Sequence, residues 1–291
     1  MKKNVIVIIS AAFFVVLILS SLIVYANSQK EEPILQEKVY QEILYLNNYM
    51  VSLLGFFNGI TTEDDILKEN QPQIESEINT DFSEETKQEN TDDSKNKGDK
   101  EKAQSSSKQN TILSLDGKYT PNWEQIQMQT EKLYQIWNTI AVDLHALNVN
   151  GESILAFSNN LNNATKNIKD KKKEAAMNEL IKNYELLLEY QKSCEGDSQK
   201  SNLLQIQVKV SSGYVNVTNE KWDEAKRDVK EAEQIFSNVL NTVSNNYENQ
   251  TTMNQCYILV NELRSAVNLK DKEIFFIEYK NFINKIQSLM G

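Results

Sequence analysis

Residues Val5 to Tyr25 form an unbroken apolar run behind Met1-Lys2-Lys3-Asn4, with Ser10, Ser20 and Ser21 as its only mildly polar interruptions. As a helix, these twenty-one residues reach roughly 31 Å at about 1.5 Å per residue, the thickness of a bilayer's hydrocarbon core. The run predicts a transmembrane anchor over 5–26 behind a cytoplasmic stub of residues 1–4, because Lys2 and Lys3 hold the short side in the cytoplasm. Val24-Tyr25-Ala26 also fits the small-residue pattern of a signal-peptide cleavage site. The run exceeds the 7–15 residues typical of a signal core, which favours the uncleaved anchor. Both readings put the rest of the chain outside the cytoplasm, and the anchor holds it at the cell membrane. No cysteine follows the run closely, so a lipid-attached cysteine is excluded.

Beyond the anchor, a chain of 291 residues leaves room for one domain and a linker. All three prolines fall before residue 122 and only eight glycines occur, in a background of Asn, Lys, Glu and Leu. So few breakers predict an all-α fold. The net charge of −10, with no basic stripe, argues against nucleic acid and against lying flat on an anionic membrane.

Residues 33–58 predict a membrane-proximal helix. Leu35, Val39, Ile43, Leu46, Met50, Leu53 and Phe57 recur at spacings of three and four. Tyr40, Leu44, Tyr45, Tyr49 and Leu54 widen that face, and Gly55 and Gly59 weaken the helix's end. A helix this apolar outside a membrane must be covered. It either packs on the chain's own distal domain, or offers Leu35, Val39, Leu46, Met50, Leu53 and Phe57 to a protein partner or a second copy of itself.

Residues 61–120 carry fifteen acidic residues against eight lysines, a net −7 of the chain's −10. Their apolar content is too low to offset ordering entropy, which predicts a disordered acidic tether.

From residue 121 to 291 the pattern predicts a helical domain. Thr120 is suited to cap a helix with Pro121 at its first position. Trp123, Ile126, Thr130, Leu133, Trp137, Ile140, Leu144 and Leu147 then form one seam, with both tryptophans read as core. Three helical hairpins follow, over 151–195, 200–247 and 251–290. The first two superimpose at an offset of 49 residues: Phe157, Leu161, Ala164 and Ile168 match Ile206, Val210, Gly213 and Val217. The third slips by one position. Asp170, Asn219 and Asp271 are placed to cap the second helix of each pair. Successive helices joined by short turns are antiparallel, as a compact bundle or a short stack of hairpins, with the bundle favoured.

The anchor, Trp123 and Trp137, and the Ile168-Lys169-Asp170 turn before a Leu-rich helix together resemble a group of small single-pass, membrane-anchored helical proteins of clostridia and bacilli. The resemblance covers residues 121–191; the acidic segment and the later hairpins fall outside it. It implies a cell-surface location in a Gram-positive bacterium. It implies no activity, since none is attached to that group.

The residues offer little to an enzyme, and the sequence names no catalytic, cofactor-binding or metal site. His145 is the only histidine, and it sits beside seam residue Leu144. Cys194 and Cys256 are the one specific chemical feature. They fall at the same end of the predicted domain, so they are either a disulfide closing a long loop or two buried apolar thiols. The leading expectation is a non-enzymatic interaction or scaffold module that takes a protein partner or self-associates. The alternative is a small-ligand or sensory domain, with a ligand between helices lined by Trp137, Tyr184, Tyr190 or Phe236.

Overall fold

Eight α-helices and no strand are present among the residues described by the computed structural model, which are 33–60, 119–194, 198–242 and 247–290. The apolar run 5–25 and the acidic segment 61–118 lie outside the described residues. No helix among the described residues is long and apolar enough to cross a membrane.

The first helix, α1, spans 33–56. It is followed by α2 (Trp123–Ala146), α3 (Gly151–Lys169), α4 (Lys173–Gln191), α5 (Ser198–Thr218), α6 (Trp222–Thr242), α7 (Tyr247–Leu269) and α8 (Lys272–Met290). From α2 onward each helix packs on the next, and α8 closes back against α5. The result is a multi-helix bundle.

α1 runs through the middle of this bundle. Val39, Ile43, Leu46, Met50, Val51, Leu53, Leu54 and Phe57 are at most 1 % exposed, and at about 100° per residue they fill one side of the helix, a little under half of its circumference. Tyr40, Leu44, Tyr45 and Tyr49 are buried too. With these the buried surface runs most of the way round, leaving Glu37, Lys38 and Gln41 exposed near the start, and a helix covered to that extent has to lie in an interior. Its neighbours are marked by hydrogen bonds: Tyr49 to Gln129 of α2, Asn47 to Tyr184 of α4 and Gln207 of α5, and Asn48 to Gln287 of α8. The face considered above for a partner is therefore filled by the chain's own helices, with only Leu35 half-buried at its start. The docked alternative describes α1, and residues 33–58 belong to the same core as 121–291.

The two glycines close α1 rather than weaken it. Gly59 has φ +66°, and Ile60 N donates back to Gly55 O at 3.0 Å. That is a left-handed helix stop, for which glycine is suited. A β-carbon on Gly55 would collide with Ile60 O, and one on Gly59 would lie 2.5 Å from Tyr119 Cε2. Ile60 and Tyr119 thus meet at one end of the bundle, so the acidic segment begins and ends at the same place. It does not separate α1 from the domain, as a tether would. As the coil its composition predicts, cutting the fifty-eight residues of 61–118 to about six Gly and Ser should raise stability by about 2 kcal/mol through loop entropy. Urea unfolding of the two chains would check this, and an unchanged or lower midpoint would count against the adjacency.

The turns record the repeat. Asn148, Lys171, Glu220 and Lys270 have φ between 55° and 60°. After each, the next N–H reaches back five residues: Val149 to Leu144, Lys172 to Asn167, Lys221 to Asn216 and Asp271 to Ala266. Lys171 and Glu220 are 49 residues apart, whereas Glu220 and Lys270 are 50 apart. The third turn closes in the same way as the first two, so the one-residue slip of the third hairpin arises before its turn. The turn geometry also corrects the capping expectation. Asp170 is the C-cap of α3, Lys172 stands before α4 without a side-chain cap bond, and Asn219 donates to Asn178. Only Asp271, which follows the left-handed Lys270 where Asp170 and Asn219 precede theirs, accepts from Ile274 N at 2.9 Å. Similarly α2 begins at Trp123, capped by Asn122 rather than Thr120, with Gln125 N donating at 3.2 Å. Side chains other than glycine strain the left-handed positions, so Lys171→Gly should gain about 0.5–1 kcal/mol. A thermal melt would show it as a small rise in Tm, and a fall would contradict the turn geometry.

Candidate functional site

The buried polar residues of α1, Glu42, Asn47 and Ser52, are cut off from solvent and must find partners inside. Asn47, 0 % exposed, is the hub. Its Oδ1 accepts from the Tyr184 hydroxyl, and its Nδ2 donates to Gln207 Oε1 and Asn48 Oδ1, each at 3.1 Å. Asn48 Oδ1 also accepts from Gln287 Nε2 at 3.3 Å. One turn of α5 further on, Ser211 and Tyr279 share a bond at 3.2 Å, and Tyr279 stacks on Tyr214 with centroids 4.2 Å apart. The Tyr214 hydroxyl donates to Leu54 O and accepts from Asn58 Nδ2. Asn58 Oδ1 takes the Lys173 ammonium, whose pKa falls to about 8 through burial and the nearby charge of Lys272. A polar ladder thus ties α1 to α4, α5 and α8 along its length. The hydroxyls of Tyr184, Tyr214 and Tyr279 are pushed up by burial and stay protonated, as donors rather than bases.

At the other end of α1 lies a second polar group. Glu42 is 1 % exposed, and among the described residues neither carboxylate oxygen receives a hydrogen bond. Lys38 Nζ stands 3.7 Å from Glu42 and 3.0 Å from Asp143 of α2. Burial first, and then the Asp143 charge, raise the Glu42 pKa to about 8, against the pull of Lys38.

No protein-family model matches the chain, and neither a curated protein nor a solved structure matches it.

The residues singled out from the sequence fall in separate places. Cys194, just past α4, and Cys256, within α7, are free buried thiols rather than a disulfide. Burial pushes them up to about 11 and about 12, so neither is a thiolate near neutral pH. His145 is exposed in the last turn of α2. Trp137 is core: it stacks on Phe157 with centroids 3.8 Å apart, and its Nε1 donates to Ser158. Tyr190 donates to Ser153 O, and Phe236 packs beside Tyr257. The aromatics named for a ligand are thus packed against side chains and bonded within the core. A groove of about 130 Å³ between α2 and α3 is lined by Gln127, Tyr134, Thr165 and Lys169, and by none of those aromatics. It is smaller than the roughly 300–1,000 Å³ of small-molecule sites.

Sequence reasoning passed over Glu42 and Asn47. Both interrupt the apolar pattern of α1. Glu42 lies three residues after Val39 and four before Leu46, on the buried face. A charge at that spacing within an apolar stripe was the available signal.

Proposed function

We propose that this chain is a membrane-anchored, extracytoplasmic helical module that acts by binding a protein or envelope partner rather than by catalysis. The observation that carries this reading is the position of α1. The helix that follows the apolar run is the one around which the bundle is assembled, so an anchor in that run would be wired into the core. Residues 26–32, which join the two, span at most about 25 Å when extended. The bundle would stand close to the membrane. Both ends of the acidic segment, Ile60 and Tyr119, lie at the opposite end of α1 from that anchor. The resemblance of residues 121–191 to single-pass surface proteins points to the same location. The polar interior supports a structural rather than chemical use of these residues, because its hydroxyls and amides bond α1 to its neighbours.

Exposed side chains on the outer helices give the test its handles. Met128, Val142, Leu155 and Ile258 are 57–69 % exposed. A photoreactive residue at each, illuminated in intact cells that express the chain, should yield one recurring protein adduct by mass spectrometry. It should also leave the domain open to protease added outside. A domain protected from external protease would remove the location. No recurring adduct from any of the four sites would remove the binding role.

A further inference from the structure

We propose that Glu42 and Asp143 form a proton-held latch between α1 and α2, tightened as the surroundings acidify and loosened as they turn alkaline. The geometry requires a proton. Two carboxyl groups face each other across the α1–α2 contact, and Lys38 is the cation that bridges them. Its ammonium is drawn to Asp143 at 3.0 Å and stands back from Glu42 at 3.7 Å. Glu42 is then a buried acid with no donor for either oxygen among the described residues. A proton held between the two carboxyls removes one charge and supplies the missing hydrogen bond.

The surroundings reinforce this. From α1 itself, Glu37 and Lys38 face the site; from α2, Asp143; and from the end of α4, the Cys194 thiol, which feels both Glu37 and Glu42. Among the described residues acting on Glu42, Lys38 alone opposes the carboxyls. α2 is also a helix that can respond. It leans on α3 along one side and on α1 along the other, through Trp137 with Ser158 and Tyr49 with Gln129. The latch does not depend on where the protein resides.

The sign follows from linkage. In the closed state Glu42 holds its proton up to about pH 8, against 4.5 for a carboxyl released to water. Closure is strongest below about pH 4.5. It weakens by up to about tenfold per pH unit through the window from there to 8, then levels off. Glu185 and Asp228 are also raised by burial and tilt overall stability the same way, so a variant must isolate Glu42.

The test is hydrogen exchange of the full chain in detergent micelles at pH 5.5 and 7.5, corrected for intrinsic rates. Protection over 38–46 and 136–146 should fall by up to about a hundredfold more in wild type than in Glu42→Gln, which carries the neutral form permanently. Equal pH dependence in the two chains would overturn the latch. A carboxyl-carbon NMR titration of Glu42 in the wild-type chain needs no variant. A midpoint above pH 7 agrees with the latch, and one near 4.5 overturns it.

Discussion

A chain lacking residues 33–60 is expected to lose cooperative folding. The helices α2–α8 read as self-sufficient hairpins in sequence, each with a seam and a turn. In the structure α2, α4, α5 and α8 all meet on α1. Removing it would uncover Tyr184, Tyr214 and Gln207, each fully buried. It would also leave Gln287 without the bond it makes to Asn48. At about 1.5–3 kcal/mol per buried apolar side chain, Val39, Ile43, Leu46, Met50, Val51, Leu53, Leu54 and Phe57 represent more than about 12 kcal/mol of gross burial. That is comparable with the whole net stability of a domain, about 5–15 kcal/mol. Residues 119–291 alone should therefore keep helical circular dichroism, bind a hydrophobic dye and melt without a sharp transition. A peptide of residues 33–60 added in trans should restore the transition, since no covalent link between Ile60 and Tyr119 is needed for the contacts. A sharp melt of 119–291 alone, at the full chain's temperature, would show that α1 is an accessory.

The same helix marks the boundary of what local pattern conveys. The seam of α2 is written in spacing: Ile126, Thr130, Leu133, Trp137, Ile140 and Leu144 are all buried. The 49-residue repeat is likewise local, and the turns at Lys171 and Glu220 carry it into backbone geometry. These features depend on residues within a turn or two of each other. The covering of α1 depends on partners from 80 to 239 residues away, as in the Tyr49–Gln129 and Asn48–Gln287 bonds. Periodicity says that such a helix must be covered and is silent on what covers it. The caps failed for a smaller reason. Asp170 and Asn219 are good capping residues, but a left-handed residue after each assigns them to the preceding helix. Of the candidate site, only the polar interruptions of α1 were visible; their partners on α2, α4, α5 and α8 were not. Cys194 and Cys256 are both at seam positions, which suits a small apolar residue as well as a half-cystine, and spacing alone did not choose between them.

The Asn47 hub gives the second large expected effect, and it distinguishes what the polar ladder stabilises from what it specifies. Asn47→Leu keeps the branched shape and removes both the acceptor for Tyr184 and the donor for Gln207. Those groups are 0 % exposed, so no water reaches them to compensate. Each orphaned group costs about 1–3 kcal/mol, so the variant should lose about 2–5 kcal/mol in urea unfolding. Replacing the partners as well, in Asn47→Leu/Tyr184→Phe/Gln207→Met, should recover most of that loss, because an apolar cluster of similar shape leaves nothing unsatisfied. The recovered protein should nonetheless pack less uniquely. The apolar residues of α1 repeat at three and four positions, so a slide of one turn replaces one with another of similar size. Asn47 in its hydrogen-bonded layer, like Asn58 against Tyr214 and Thr218 at the far end, fits only one register. The triple variant should show extra or broadened amide resonances from α1 where wild type shows one set. A single variant within about 0.5 kcal/mol of wild type, the range of ordinary surface changes, would mean that the hub is dispensable. A triple variant as poor as the single would mean that shape, and not hydrogen bonding, fixes the central helix.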